Sequence, residues 1–135
     1  MVDDRQAVRD ALTALDDAFQ RQDLSAVLEL CTEDVVFIGS GEGEEAVGRD
    51  AIEPMFDALA PQLEGLKFSL EWESVDIDVL GEVALISARG SARQVTQRRA
   101  DTLRYRLTGV LVRSTEGWRW RVYHGSEPGA WLPDP

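Results

Sequence analysis

Apolar residues recur along this chain at two periods, first by threes and fours and then, from Leu66 onward, by twos. Val8, Ala11, Leu12, Leu15, Ala18 and Phe19 fall on one stripe, with Arg5, Arg9, Asp10, Asp16 and Asp17 around the rest. That spacing predicts a helix to about Gln22, capped by Asp3 or Asp4. Asp23 opens a short second helix, Leu24 to Leu30, and Cys31 is read with that apolar helical stretch. Glu33-Asp34 reads as a turn and Val35–Ile38 as a short strand rich in β-branched residues. A polar loop, Gly39 to Glu45, leads to a returning arm at Ala46-Val47. Gly48-Arg49-Asp50 begins a third helix with a stripe of Ile52, Met55, Phe56 and Leu59. Pro54 is tolerated in its first turn, where backbone N–H groups lack partners anyway, and Pro61 is expected to end it.

The remainder reads as sheet. Leu66, Phe68, Leu70 and Trp72 alternate, and the apolar phase then slips by one to Val75, Ile77 and Val79. A slip inside one long strand predicts a β-bulge near Glu73-Ser74, and bulges curve sheets. Val83–Gln97, Asp101–Ser114 and Trp118–Ser126 complete four long antiparallel strands. The last two make a hairpin through Ser114-Thr115-Glu116-Gly117. Strict alternation there puts Trp118, Trp120, Val122, His124 and Ser126 on one face and Arg119, Arg121, Tyr123 and Gly125 on the other. The tail from Gly129, with Trp131 and Leu132, is expected to fold back on the body. Helices segregated from consecutive strands imply an α+β class, with the helices on one face of a curved sheet.

Composition narrows the partners. A chain of 135 residues with 44% hydrophobic content is expected to be one domain, 1–135, with a proper core. The net charge of −11 opposes nucleic acid and anionic membrane surfaces, which select basic footprints. One cysteine excludes an intrachain disulfide and a cysteine-based zinc site. The N-terminus shows no basic region followed by an apolar run, and no apolar run approaches the length of ~20 residues that spans a bilayer. The expectation is a soluble, cytoplasmic protein.

Candidate chemistry is sparse. His124, the only histidine, is a candidate general base, with a structural histidine near a strand end as the plainer account. Six arginines, Arg89, Arg93, Arg104, Arg106, Arg119 and Arg121, lie on the long strands. A pocket arginine would bind a carboxylate or phosphate, whereas cross-strand pairs with Glu71, Glu73 or Asp101 would be structural. Arg89 stands out because Ile86 and Ala88 beside it are apolar. Trp72, Trp118, Trp120, Tyr105 and Tyr123 would line a pocket for a flat ligand, form a dimer interface or fill the core. Phe37 is a core residue or a cavity floor. The GxGxG spacing of Gly39–Gly43 is not a phosphate cradle: no helix or lysine follows directly and three carboxylates would repel phosphate. Asp76 and Asp78 do not supply convergent oxygen ligands, so no metal and no cofactor are expected.

Several motifs together resemble the nuclear transport factor 2-like (NTF2-like) superfamily, in particular its SnoaL-like branch. They are Asp34-Val35-Val36-Phe37-Ile38-Gly39, Val47-Gly48-Arg49-Asp50-Ala51, Arg106 to Arg113, Gly117-Trp118 and His124-Gly125-Ser126. The resemblance implies a cone in which a curved, mostly antiparallel sheet wraps around three N-terminal helices. It also implies a pocket that serves isomerases, cyclases, dehydratases, binding proteins or assembly modules. Steroid isomerases of the superfamily place a carboxylate base at the end of the first short strand, where this chain has Ile38-Gly39. The scytalone-dehydratase type uses His and Asp side chains together, and this chain has a single His. The His-x-Ser ending is similar to the association domain of calcium/calmodulin-dependent kinase, which lines its pocket with arginines. Arg89 falls on one of those positions, and Gly109 and Gly125 on two others.

The expectation is therefore a small-molecule-binding protein, or an acid/base isomerase, cyclase or dehydratase. Its site would draw on His124 as catalytic residue and Phe37, Arg89, Tyr105 and Tyr123 as ligand contacts. The alternative is a non-catalytic oligomerisation or interaction module. In either case outer apolar residues such as Val110 and Val112, or the Trp side of the last strand, are expected to form a homodimer.

Overall fold

A computed structural model describes residues 3–129; the tail with Trp131 and Leu132 lies outside the described residues. The chain begins with α1, Asp4–Gln20, whose N-terminus is fixed by Asp3: its carboxylate accepts the Gln6 N–H at 2.8 Å. Val8, Ala11, Leu12, Leu15 and Ala18 are buried along the predicted stripe. Asp23 caps α2, Leu24–Glu29, in the same way through the Ala26 N–H. A single 3-10 turn, Arg49–Ala51, leads into α3, Ile52–Leu63. Pro61 sits inside α3 rather than ending it, because the last turn continues to Leu63.

Six strands form one curved, unclosed sheet in the order β2-β1-β6-β5-β4-β3. They are β1 (Cys31–Ile38), β2 (Glu45–Val47), β3 (Lys67–Leu80), β4 (Val83–Val95), β5 (Ala100–Ser114) and β6 (Gly117–Ser126). All neighbours are antiparallel except β1 and β6, which run parallel, so the sheet is mixed. Cys31 opens β1 rather than closing a helix, and Glu33-Asp34 lies within that strand rather than in a turn. There β1 departs from regular pairing: Cys31 faces Trp120 and Val36 faces Val122, so Thr32 to Val35 stand opposite Arg121 alone. Burial pushes the Cys31 thiol up to about 12, which leaves it an inert core group.

Two bulges set the faces of the sheet. In β3, Trp72 pairs with Gly90 and Ser74 with Arg89, so Glu73 is the extra residue, at the predicted place. In β6, Trp120 pairs with Leu111 and Val122 with Val110, so Arg121 is extra. This second bulge has no signature in the hydrophobic alternation. Its effect is large, because a one-residue slip moves every later side chain to the other face. Trp118, Trp120, Tyr123 and Gly125 are consequently buried together, while His124 turns outward.

Trp120 is the hub of the core. It is fully buried, its indole N–H donates to the Ala11 carbonyl at 3.3 Å, and its backbone N–H donates to the Leu30 carbonyl at 2.8 Å. One residue thereby ties α1, the end of α2 and β6 together. Gly109 makes room for it: a Cβ there would lie 2.6 Å from the Trp120 ring. The N-terminus of α1 is held to β5 by a two-point pair, Arg113 to both Asp4 oxygens at 2.9 and 2.7 Å, with the Arg113 guanidinium 4.6 Å from the Trp118 ring.

Candidate functional site

Between the inner face of the sheet, α1, α3 and the β1–β2 loop lies a partly open cavity of about 410 Å3. Its wall is aromatic: Phe19 from α1, Phe37 from β1, Phe56 from α3, Phe68 from β3, Tyr105 from β5 and Tyr123 from β6. Phe37 stacks on Tyr123 at 4.8 Å between ring centroids and 12° between planes. Phe19 presents an edge to both rings, at 5.5 Å to Phe37 and 5.8 Å to Tyr123. Met55, Leu59, Leu63, Leu66 and Leu103 add aliphatic surface. Polar groups are few: Gln20, Gln22, Ser40, Gln94, Glu44 and Glu127. An apolar hollow with a few convergent polar groups is the usual form of a small-molecule site, and its size falls in the usual range.

The polar centre is a pair of tyrosines. Their hydroxyls lie 3.2 Å apart and both rings are buried. Burial pushes Tyr105 up to about 12 and Tyr123 well above its ordinary value, so both phenols stay neutral donors and acceptors. Negative charge at Glu44 and Asp16 acts on both rings in the same direction, and Glu127 adds to it at Tyr105. Gly125 is the neighbour that permits this arrangement. A Cβ on Gly125 would fall 1.8 Å from the Tyr105 hydroxyl, so only glycine lets the ring lie across β6.

Behind the tyrosines lies Asp16, the one buried charged residue among the described residues, at 7% exposure. Its Oδ2 accepts the Trp72 indole N–H at 2.8 Å, and its Oδ1 has no hydrogen-bond partner in the protein. Trp72 in turn packs 6.0 Å from the Tyr105 ring. Burial raises the Asp16 carboxyl to about 7, with the Trp72 bond opposing and the Asp17 charge adding. Asp16 belongs to the helical stripe by position, four residues after Leu12 and three before Phe19. Sequence reasoning placed it with the solvated aspartates because of its chemistry, and the spacing was the signal that located it.

Three of the five expected site residues meet at the cavity: Phe37, Tyr105 and Tyr123. The structure does not bring His124 there. It is exposed on the outer face, across from Thr108 on β5 and Ile38 on β1, because the Arg121 bulge has reversed the alternation. Arg89 is also on the outer face, opposite Ser74 and Arg106, with its guanidinium 3.9 Å from Asp76. The arginine-lined arrangement implied by the kinase association domain is therefore not built here. Gly109 and Gly125, at two of its positions, instead admit Trp120 and Tyr105.

The Gly39–Gly43 segment is the β1–β2 hairpin loop, and its Gly39, Ser40 and Gly41 line the cavity with Glu44. Its own carboxylate occupies its donor, since Glu44 accepts the Gly41 N–H. No three His, Cys, Asp or Glu side chains come together as metal ligands among the described residues. No helix among them is long and apolar enough to cross a membrane.

The sequence profile of the SnoaL-like domain matches residues 8–130. The chain belongs to the SnoaL-like domain family. Solved structures agree on the fold of this SnoaL-like chain. A protein of Novosphingobium aromaticivorans, provisionally named an aromatic ring hydroxylase, is 26% identical with a TM-score of 0.79, covering 94% of this chain and 90% of that one. A ketosteroid isomerase-like protein of Erwinia carotovora atroseptica is 21% identical with a TM-score of 0.72, covering 96% of this chain and 100% of its own. An NTF2-like protein with a cystatin-like fold from Novosphingobium aromaticivorans is 18% identical with a TM-score of 0.77, covering 92% and 81%. No curated protein matches the sequence.

Proposed function

We propose that this SnoaL-like protein binds a small, flat, largely apolar molecule in the cone, with one polar group of the ligand against the Tyr105–Tyr123 hydroxyl pair. The observation that carries the reading is that pair, buried at 3.2 Å and facing a cavity of about 410 Å3 whose walls are otherwise mostly apolar. Two linked neutral phenols offer a donor and acceptors in a largely apolar surrounding, where an unpaired polar group is costly and a matched one is therefore selective. Phe37 and Tyr123, already stacked, give a flat ring a parallel face to lie on. An interior filled by its own side chains would have supported the alternative of a purely structural module.

Titration with neutral naphthol, followed by NMR, tests the reading. Saturable shifts are expected at Phe37, Tyr105 and Tyr123. Tyr123→Phe should weaken binding by about tenfold, the scale of one lost hydrogen bond, and Leu59→Trp should abolish it by filling the cavity. Shifts confined to the outer face, or binding that survives Leu59→Trp, would refute the reading.

The same proposal includes a homodimer through the outer face of the sheet. Leu85, Val110, Val122, Val36 and Val47 are paired in register across β4, β5, β6, β1 and β2, forming an apolar row. Leu85 is 42% and Val47 79% exposed, so the row lacks cover in the single chain. Sedimentation velocity should give a dimer that Val110→Glu converts to monomer; a monomeric parent protein at tens of micromolar would end this part of the reading.

A further inference from the structure

We propose that the cavity selects a cationic ligand, a protonated amine carried on a flat apolar body, over neutral and anionic analogues of the same shape. This inference rests on the small-molecule reading above and specifies the class of ligand. The first observation is the charge of the lining. Two ionisable carboxylates, Glu44 and Glu127, face the cavity, and no Arg, Lys or His does among the described residues. The residues beyond Gly129, Ala130 to Pro135, carry no basic side chain either. Every arginine of the long strands near this end points to the outer face or its edge, as Arg89, Arg93, Arg104 and Arg106 do.

The second observation is the field at the polar centre. Glu44 and Glu127 act on Tyr105, and Glu44 also on Tyr123, each in the direction that opposes negative charge. An anionic group brought to the hydroxyl pair would meet that repulsion in an apolar surrounding, with no cation to offset it. A protonated amine meets the opposite. It can donate to the phenol oxygens, and the carboxylates supply its countercharge.

The third observation is the ring arrangement. Phe37, Tyr123 and Phe19 form one packed aromatic cluster in the cavity wall, with Phe37 stacked on Tyr123 and Phe19 in edge contact with both. Aromatic faces attract cations through the ring quadrupole, and an aromatic enclosure with a carboxylate at its rim is suited to ammonium groups. The Glu44 carboxylate is held at the rim by its own loop, through the Gly41 N–H, so it is positioned before any ligand arrives.

The test uses three matched probes near neutral pH: naphthylethylamine, naphthylethanol and naphthylacetate. Isothermal titration calorimetry of the full chain gives their affinities, and NMR shifts at Tyr105 and Tyr123 locate them. The amine should bind about tenfold tighter than the alcohol, and the acetate weakest, with the gap narrowing as salt is raised. Glu44→Gln combined with Glu127→Gln should bring the amine-to-alcohol ratio toward unity. Equal affinity for amine and alcohol, or tightest binding of the acetate, would overturn charge selection while leaving the small-molecule reading intact. Amine binding that persists in Leu59→Trp would place it on the acidic surface and overturn the inference as well. Failure of all three probes to reach the cavity would instead count against the small-molecule reading, and this inference would fall with it.

Discussion

Replacing Asp16 with asparagine isolates the one buried charged residue among the described residues. Burial raises its carboxyl from 3.8 to about 7, and the Trp72 N–H is its one protein partner. Between those two values the folded chain keeps a proton on Asp16 that the unfolded chain has released. Proton binding then favours the folded state, and stability must fall as pH rises through that window. The contribution is complete below about 4 and lost above about 7. At about 1.4 kcal/mol per pH unit, the span amounts to about 4 kcal/mol, a large share of the stability of a small domain. Asparagine is neutral at every pH, and its carbonyl oxygen can still accept from Trp72. Urea denaturation of both proteins from about pH 4 to about pH 8 measures the difference directly, and other titrating groups cancel in the comparison. The variant should gain on the parent by about 4 kcal/mol across that range and then level off. Parallel stability curves, differing by less than about 1 kcal/mol throughout, would mean that water reaches Asp16 and the carboxyl ionises normally. Asp16 would then not be a buried, protonated carboxyl.

Three further substitutions separate the faces of the sheet. Gly125→Ala forces a methyl into the Tyr105 hydroxyl and should cost about 1–3 kcal/mol by urea denaturation, with loss of naphthol binding; unchanged binding would show that the hydroxyl pair is not the polar anchor. His124→Ala and Arg89→Ala should each leave naphthol affinity within about twofold of the parent, since neither side chain reaches the cavity; a tenfold loss from either would return the outer face to the site.

How much of this was legible depends on which signal each part leaves. The α1 stripe, both aspartate caps, the four long strands and the Glu73 bulge follow from periodicity, because each changes where apolar residues fall. The Arg121 bulge left no such mark. Val122 and Tyr123, the next two residues, are apolar and aromatic on opposite faces, so strict alternation through Trp118–Ser126 is self-consistent and groups His124, instead of Tyr123, with Trp118 and Trp120. Cys31 and Glu33-Asp34 were misplaced for a related reason: β1 opens with an irregular stretch opposite Arg121, where neither strand period applies. The Tyr105 and Tyr123 pocket assignment rested on a chemical argument that did not depend on the face, namely that a buried phenol needs a polar partner. Each turned out to be the other's partner.

The two bulges also explain why the polar centre lies where it does. The β3 bulge carries Trp72 at its inner edge, where its indole N–H reaches Asp16 on α1. The β6 bulge restores Tyr123 to the inner face two positions before the glycine that admits Tyr105. Without the first, the strand's regular alternation would run on past Trp72 without the step at Glu73; without the second, Tyr123 would face outward and His124 inward. The same local irregularity that curves the sheet around the helices therefore chooses which chemistry faces the cavity. In this chain the choice is two phenols in place of an imidazole. A one-residue deletion at Arg121 would test that coupling: it removes the extra residue while Trp120 and Val122 keep Leu111 and Val110 as partners, so Tyr123 should stay inward, His124 outward, and naphthol binding should be retained. Loss of naphthol binding in that variant, with a native near-ultraviolet circular dichroism spectrum, would show that the facing of Tyr123 is not set by the count of residues between Trp120 and Val122.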